Sequence, residues 1–339
     1  MKQQNPSSKN LHLELLRVIS CLFVVVIHVS NIYSRSYLSI PSGSYLFSLA
    51  CNGLARVSVP LFFMISGALL AGREPNLPKC RARLKKYLLV TVFWFGFYLV
   101  WTTQVLGHPY DLRKLIAVPP STHLWFLYAI LTIYAILPVV QVLVRALDQQ
   151  PPALTHWLLA AFAISVAGQF VLSFTPLETR YLIPLAGGSQ YFAMFFWGYY
   201  LSRHPLRWKC RTLVLALLGG SGGAAVLTAL ATFRDGVHNE RFFEYRNPLI
   251  LLAATAAFLL AQRIPEEWLR GRRVLTHISE NSFGIYVFHA VFLNLFHVYT
   301  PMTALHAVCG IPLFTSLIFL LADGAVTLLR RFQPLRYFL

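Results

Sequence analysis

Ten apolar segments alternate with short polar clusters along the chain. They cover about 11–33, 47–71, 84–103, 123–144, 156–174, 187–202, 210–232, 248–262, 282–298 and 304–329. Most approach the ~20 residues that an α-helix, rising about 1.5 Å per residue, needs to cross a hydrocarbon layer about 30 Å thick. Because backbone groups cannot stay unpaired in lipid, we expect a helix in each segment; the sixth and eighth are short.

Composition supports a membrane environment. Of the 339 residues, 57% are hydrophobic and 12% are charged, and the mean hydropathy is +0.59. Soluble domains carry about 25% charged residues, so lipid must be part of the solvent. We predict an all-α membrane protein, a bundle of about ten transmembrane helices without a soluble domain. It is expected to be one domain over 1–339, with short cytoplasmic tails at about 1–10 and 330–339.

The formal net charge of +17 is distributed in short clusters between the apolar segments. This distribution is typical of topology signals and argues against a nucleic-acid-binding face. If the N-terminus is inside, the inner regions hold 20 Lys and Arg residues and the outer loops hold seven. The positive-inside rule therefore predicts that both termini are cytoplasmic. The five cysteines have neither metal-site nor disulfide spacing.

Three ionisable side chains lie within the first apolar segment: Glu14, Arg17 and His28. Glu14 and Arg17 are three residues apart, so they share a helix face and can pair. At 100° per residue, the step from Arg17 to His28 is three turns plus about 20°, so both point the same way about 16 Å apart. A fixed cation and a more distant base suit a channel for a substrate that crosses the membrane. The alternative is an interfacial ion pair with an interfacial histidine.

The second apolar segment contains Arg56 and Ser66. No acidic residue lies within one turn of Arg56, so its partner must be on another helix or be an anionic ligand. Pro60 removes one backbone hydrogen bond from the same segment. These features make the second segment a candidate wall of the same channel.

Later segments add further polar candidates. His123 and Trp125 open the fourth segment, where a substrate site and an ordinary interfacial position both fit. Tyr286 and His289 lie in the ninth, where they either line a cavity or pack against neighbouring helices. Asp323 is an acid near the middle of the tenth segment, and we expect it to pair with an arginine.

Taken together, these residues resemble the acyltransferase-3 family of membrane O-acyltransferases. The hallmark is an arginine and, after ten intervening residues, a histidine in the first span, here Arg17 and His28. An acid three residues before the arginine is usual, typically aspartate; here it is Glu14. Further similar segments follow in family order: Arg56 with Phe62–Gly67, the basic stretch containing Arg83, His123–Phe126, and Ser282–Tyr286 with His289.

The resemblance runs from residue 14 to 289 and is closest to the type that O-acetylates enterobacterial common antigen, mainly through Arg56–Gly67. It implies ten helices, both termini cytoplasmic, in the inner (cytoplasmic) membrane. It also implies transfer of an acyl group, usually acetyl from acetyl-CoA, to a hydroxyl of a cell-surface polysaccharide such as a lipopolysaccharide O-antigen, or of its lipid-linked precursor. Acetyl-CoA is then a co-substrate, and neither a bound cofactor nor a metal is expected.

The candidate catalytic residues are His28, Arg17 and Glu14, and the expected chemistry centres on His28. As general base, His28 would remove the proton from the acceptor hydroxyl while that hydroxyl attacks the thioester. An acyl-histidine intermediate is the less economical alternative. The tetrahedral oxyanion needs a donor, for which Arg56 or Ser66 is a candidate. The other candidates for substrate binding are His123, Trp125, Tyr286 and His289.

Binding of CoA is expected at cations near the cytoplasm. Arg17, with Glu14 beside it, lies at the mouth of the predicted channel, and the basic stretch 72–86 includes Arg81 and Arg83. These cations can hold phosphates through charge-assisted hydrogen bonds. Topology signalling alone is the alternative explanation for the stretch.

Two alternatives to a transferase remain at this point. A secondary transporter or a flippase of lipid-linked sugars would also explain charges in spans, although no inverted repeat is visible and intramembrane carboxylates are scarce. An inactive scaffold is the other. The loop 234–246 mixes charges with Phe242, Phe243 and Tyr245, which suits either sugar stacking or an interfacial aromatic belt.

Overall fold

The computed structural model describes residues 10–115, 117–175 and 189–339. All regular elements in these ranges are helical, and the fold is an all-α membrane protein. The main helices are α1 (Leu11–Arg35), α2 (Ser42–Ala55), α3 (Ser58–Leu70), α4 (Leu77–Val100), α5 (Trp125–Asp148), α6 (Pro152–Leu172), α7 (Ser189–Arg203), α8 (Cys210–Asp235), α9 (Pro248–Ala261), α10 (Glu266–Leu269), α11 (Arg273–Tyr299), α12 (Ala307–Leu329) and α13 (Gln333–Arg336).

Within the described ranges, eight helical stretches are long and apolar enough to cross a membrane, with α2 and α3 forming one of them. The sixth and eighth apolar segments form the shorter helices α7, with 15 residues, and α9, with 14 residues. At about 1.5 Å per residue, α9 extends only about 21 Å. In the described ranges the ten predicted segments are therefore all helical, and the eighth, as α9, is shorter than a straight membrane crossing requires.

The outer surface of the bundle is apolar. Val92, Val139 and Ile164 are each more than 60% exposed although they lie in the middle of long helices. In water such a surface would promote association, whereas in a bilayer it contacts hydrocarbon tails. Polar side chains such as Asn52 and His289 are instead buried inside the bundle.

Glycines allow two helix pairs to approach closely. A Cβ atom on Gly67 of α3 would lie 1.7 Å from the backbone oxygen of Phe195, and one on Gly198 of α7 would lie 2.1 Å from that of Met64. The glycine-rich stretch of α8 behaves similarly, because a Cβ on Gly220 would lie 2.5 Å from the backbone oxygen of Leu249. Small residues let the short helices α7 and α9 pack deep inside the bundle.

The predicted second span is divided into α2 and α3 at Arg56 and Val57. Pro60 has no N–H to donate to the carbonyl of Arg56, four residues earlier, and its ring crowds that carbonyl. The helix resumes with the hydrogen bond from Leu61 N to Val57 O, at 3.0 Å. This break places the Arg56 side chain between two helix ends.

The beginning of α1 and the end of α12 lie at the same end of the bundle. Glu14 near the start of α1 contacts Ser279 near the start of α11, and Arg330 after α12 donates to Asn281. We call this the Arg17 end, and the opposite end, where α1 finishes, the Arg35 end. The two ends are about 27 Å apart, as measured by the 18-residue step along α1 at 1.5 Å per residue.

Asp323 pairs differently from the prediction. Its carboxylate lies 2.9 Å from His277 Nε2 and accepts a hydrogen bond from Asn281 at 2.8 Å. The nearby Arg330 donates instead to the Asn281 side-chain oxygen, at 2.6 Å. The expected arginine partner is thus joined to the acid only through an asparagine, because α11 presents an amide between them.

Candidate active site

One cavity of about 790 Å³ extends from the Arg17 end to the Arg35 end of the bundle. Ligand-binding cavities commonly have volumes of about 300–1,000 Å³. Its polar lining is Arg17, Arg73, Lys79, Arg83 and Lys86 at one end, Ser66, His28 and His123 along its length, and Asn31, Arg35, Arg56 and Glu240 at the other end. Aromatic walls, including Phe62, Phe126 and Tyr286, separate these polar groups.

Arg17 is held at the mouth of the cavity by two side chains. Its Nη1 donates to Glu14 Oε1 at 2.9 Å and to Ser279 Oγ at 3.0 Å. The Ser279 hydroxyl in turn donates to the other oxygen of Glu14. Glu14 is not part of the cavity lining, so it orients Arg17 from behind. Sequence reasoning missed Ser279, which lies 262 positions from Arg17.

Arg17 and His28 line the same cavity, as their spacing on α1 predicts. His28 is half-buried, and its ring centroid lies 5.0 Å from that of His289 and 6.5 Å from that of His123. The rings of His123 and His289 are themselves 5.2 Å apart. Three histidines from α1, α11 and the turn before α5 therefore meet; His28 and His123 line the cavity, whereas His289 does not.

His289 and His123 are both buried, and His289 packs between helices rather than lining the cavity, the second of its two predicted alternatives. His289 Nδ1 lies 2.6 Å from the backbone oxygen of Tyr286, and a carbonyl can only accept, so Nδ1 carries a proton. His123 Nδ1 lies 3.0 Å from Ser121 Oγ, and Tyr286 donates to the His123 backbone oxygen. The Nε2 atoms of both histidines are buried without a hydrogen-bond partner in the described part of the chain.

Three imidazoles in contact raise the question of a metal. Among residues 10–115, 117–175 and 189–339, no group of three or more His, Cys, Asp or Glu side chains could hold a metal ion. The three imidazoles are therefore close together without forming a metal-coordination group in these ranges.

The basic stretch 72–86 divides between the cavity and the surface. Helix α4 begins at Leu77, seven residues before the expected start of the third span, because Asn76 Oδ1 caps the Lys79 N–H at 2.9 Å and Pro78 suits the first turn. Arg83 lines the cavity, with its guanidinium 5.6 Å from the centre of the Tyr134 ring. Arg81 is exposed and does not line it.

Arg56 has its partners at the Arg35 end. Its Nε donates to Asn52 Oδ1 at 2.8 Å, and its Nη2 lies 3.6 Å from Glu240 in the loop between α8 and α9. The rings of Phe243 and Tyr245 lie 5.2 and 5.7 Å from its guanidinium carbon. The partner of Arg56 is thus a loop carboxylate, which neither of the two predicted alternatives named.

A protein-family model described as an acyltransferase domain matches residues 10–323, which is nearly the whole chain. The chain belongs to the acyltransferase-3 family. No curated protein and no solved structure matches it. The bundle and its cavity are therefore those of a membrane acyltransferase.

The remaining predicted residues of the acyltransferase are also at the cavity. Ser66 lines it, but its hydroxyl donates to the Phe62 carbonyl at 2.9 Å and so has no free proton for an oxyanion. Trp125 lines it near the Arg35 end, with its ring 5.8 Å from that of Tyr245. Tyr286 lines it beside His123.

The aromatic residues of the loop 234–246 do not form an exposed belt. Phe243 is fully buried beneath Arg56, and Tyr245 lines the cavity. Both expectations for this loop were wrong for Phe243, because its ring packs in the core with Tyr45 and Leu49 rather than facing lipid or a sugar. The candidate set omitted Glu240 and Arg35, because each is only one of several charges between apolar segments in the sequence.

Proposed function

We propose that this membrane acyltransferase moves an acetyl group from acetyl-CoA to a hydroxyl of a carbohydrate, with His28 as general base. The observation that carries the proposal is that one cavity joins the cations around Arg17 to His28 and continues to the Arg35 end. The acceptor is a cell-surface polysaccharide or its lipid-linked precursor, of the kind found in enterobacterial common antigen or O-antigen.

The Arg17 end faces the cytoplasm of the inner membrane in this proposal. Five cations line the cavity there: Arg17, Arg73, Lys79, Arg83 and Lys86. The positive-inside rule favours this orientation, and CoA is a cytoplasmic polyanion that needs such a surface. Both chain termini are then cytoplasmic as well.

CoA phosphates bind the cations at the Arg17 end through charge-assisted hydrogen bonds. Glu14 and Ser279 fix one edge of the Arg17 guanidinium, which leaves its other edge for a phosphate. The step from Arg17 to His28 is about 16 Å along α1, comparable with an extended pantetheine arm. A thioester whose phosphates lie at Arg17 therefore reaches the histidine cluster.

The transfer step needs one base and no redox chemistry. His28 takes the proton of the acceptor hydroxyl as the oxygen bonds to the thioester carbon, and the tetrahedral intermediate then collapses with loss of the CoA thiolate. The thiolate takes this proton back from the His28 imidazolium and leaves as CoA, which restores the base. His289, whose Nε2 carries a lone pair, lies beside His28 and stabilises the imidazolium that forms. Transfer through an acyl-histidine uses the same residues.

A single assay tests this proposal. Purified protein in nanodiscs is given acetyl-CoA labelled in the acetyl group and a lipid-linked oligosaccharide, and the glycan is analysed by mass spectrometry. We expect an increase equal to one acetyl group, which His28→Ala abolishes while His297→Ala, an exposed histidine of α11, does not. An unmodified glycan in this assay, together with movement of the glycan across the membrane of proteoliposomes, would support a flippase instead.

A further inference from the structure

The Arg35 end contains a compact cluster of charged side chains around Glu240. Glu240 Oε1 accepts a hydrogen bond from Arg35 Nε at 2.9 Å and lies 3.5 Å from His238 Nε2. Its other oxygen lies 3.6 Å from Arg56 Nη2. One carboxylate thus faces two guanidinium groups, and the cluster keeps a net positive charge.

Arg56 is incompletely satisfied in this cluster. It is 8% exposed, and its Nη2 has no hydrogen-bond partner among the described residues, since 3.6 Å to Glu240 is too long for one. A buried guanidinium with an unused donor is costly unless an acceptor completes it. An anionic oxygen at this position would do so.

A second cavity, of about 680 Å³, adjoins the first at this cluster. The residues that line both cavities are Arg56, Trp125, Glu240 and Tyr245. The second cavity is further lined by Arg241, Arg246 and Glu244. Its arginines outnumber its carboxylates, and Glu240 stands in the wall between the two spaces.

Glu240 behaves as a permanent anion in this wall. Burial opposes ionisation of its carboxyl, but the nearby His238 ring, the hydrogen bond from Arg35 and the charges of Arg56 and Arg35 lower its pKa to about 2. At neutral pH the site therefore always contains one oxyanion that belongs to the protein.

We propose that Arg35 and Arg56 form a binding site for an oxyanion of the acceptor, a carboxylate or a phosphate, which displaces Glu240. Departure of Glu240 from the wall joins the second cavity to the cavity that contains His28. This inference rests on the proposed function and adds to it the chemical class of the acceptor, an anionic carbohydrate.

A structural role for the cluster makes the opposite prediction for one variant. If Glu240 only fastens the loop, Glu240→Gln loosens the loop and weakens any ligand that binds there. If Glu240 competes with a ligand, Glu240→Gln removes the competitor and tightens binding of acidic ligands alone. The sign of the change separates the two roles.

The test is isothermal titration calorimetry of the full chain in nanodiscs with saturating CoA, so that the cations at the Arg17 end are occupied. The probes are two matched pairs: methyl glucuronide with methyl glucoside, and a prenyl diphosphate with the prenyl alcohol. The variants are Glu240→Gln and Arg56→Gln. The matched control is Arg234→Gln, because Arg234 pairs with a carboxylate in the same region but lines neither of the two cavities.

We expect the acidic member of at least one pair to bind at least tenfold more tightly than its neutral partner. Glu240→Gln should increase that preference, Arg56→Gln should remove it, and Arg234→Gln should keep it. A preference for methyl glucuronide over methyl glucoside would identify the bound oxyanion as a carboxylate. A preference for the prenyl diphosphate over the prenyl alcohol would identify it as the phosphate of a lipid-linked acceptor.

Equal binding of acidic and neutral probes by the wild type would overturn the inference, as would weaker binding of the acidic probe to Glu240→Gln. Should Arg56→Gln fail to fold, the change in binding of the acidic probe to Glu240→Gln still distinguishes a competing role of Glu240 from a structural one. Because this readout is binding, it is independent of acetyl transfer. If the wild type prefers acidic probes but transfers no acetyl group, the proposed function is contradicted. If it transfers acetyl groups but binds acidic and neutral probes equally, only this inference is contradicted.

Discussion

The two ends of the cavity differ in how their positive charges are balanced. At the Arg17 end, Arg17 pairs with Glu14, whereas Arg73, Lys79, Arg83 and Lys86 form no ion pair within the described ranges. At the Arg35 end, one carboxylate, that of Glu240, is shared by two arginines. The first end suits a polyanion that binds and leaves freely, whereas the second holds an internal anion, Glu240, that a ligand displaces in our proposal.

The largest effect is expected between these two ends, at His28. His28→Ala removes the base of the proposed mechanism, so acetyl transfer should fall by about 10²–10⁴-fold, the range typical of a general base. Initial rates with labelled acetyl-CoA measure this. His297→Ala should leave the rate unchanged. An undiminished rate in His28→Ala would show that His28 is not the base.

A smaller effect is expected at Arg17. Arg17→Ala should raise the KM for acetyl-CoA by about 10–100-fold, since a charged hydrogen bond contributes about 1.5–3 kcal/mol. Arg17→Lys should recover little, because an ammonium cannot replace a planar guanidinium held on one edge and open on the other. Arg81→Ala, on the same basic stretch but outside the cavity, is the control. A lost kcat with an unchanged KM would mean that Arg17 does not hold CoA.

The residues behind Arg17 should have a modest effect. Ser279→Ala should raise the KM for acetyl-CoA by about fivefold, as expected for one neutral hydrogen bond of about 1 kcal/mol. Because Ser279 and Glu14 contact each other as well as Arg17, Ser279→Ala and Glu14→Gln should combine non-additively in a double-mutant cycle. Additive effects would show that the two side chains do not act together on Arg17.

The smallest effect is expected in stability at the Arg35 end. The pKa of Glu240 is about 2 when folded, below the value of about 4.3 expected when unfolded. Its stabilisation is therefore complete above about pH 4.3 and is lost as the pH falls towards 2. Melting temperatures from pH 7 to 3 should fall less steeply for Glu240→Gln than for the wild type. Parallel plots of melting temperature against pH for the two proteins would show that Arg35 and Arg56 do not stabilise the ionised Glu240.

The elements that could be predicted from the sequence are those fixed by local periodicity. The spacing of Arg17 and His28 follows from one helix, and the apolar segments follow from the thickness of a bilayer. The family could also be recognised, because its motifs lie within single segments, and residues 10–323 match its model. The break at Arg56 has its cause four residues away, in Pro60.

The rest of the site depends on contacts between distant helices. Ser279 reaches Arg17 across 262 positions, and His289 reaches His28 only because α11 packs on α1. Arg81 and Arg83 look equivalent in the sequence, but the rotation of α4 places one on the surface and the other in the cavity. Nothing in the order of residues indicates which of several loop carboxylates meets Arg56.

The glycine contact between α3 and α7 limits how this protein can change shape. With Gly67 against the backbone of Phe195 and Gly198 against that of Met64, neither helix can slide or turn without a collision of main chains. We therefore expect α3 and α7 to keep their relative positions on one side of the two cavities. Any widening of the cavity near Arg56 is therefore expected in the connection between α8 and α9, residues 236–247, rather than between α3 and α7.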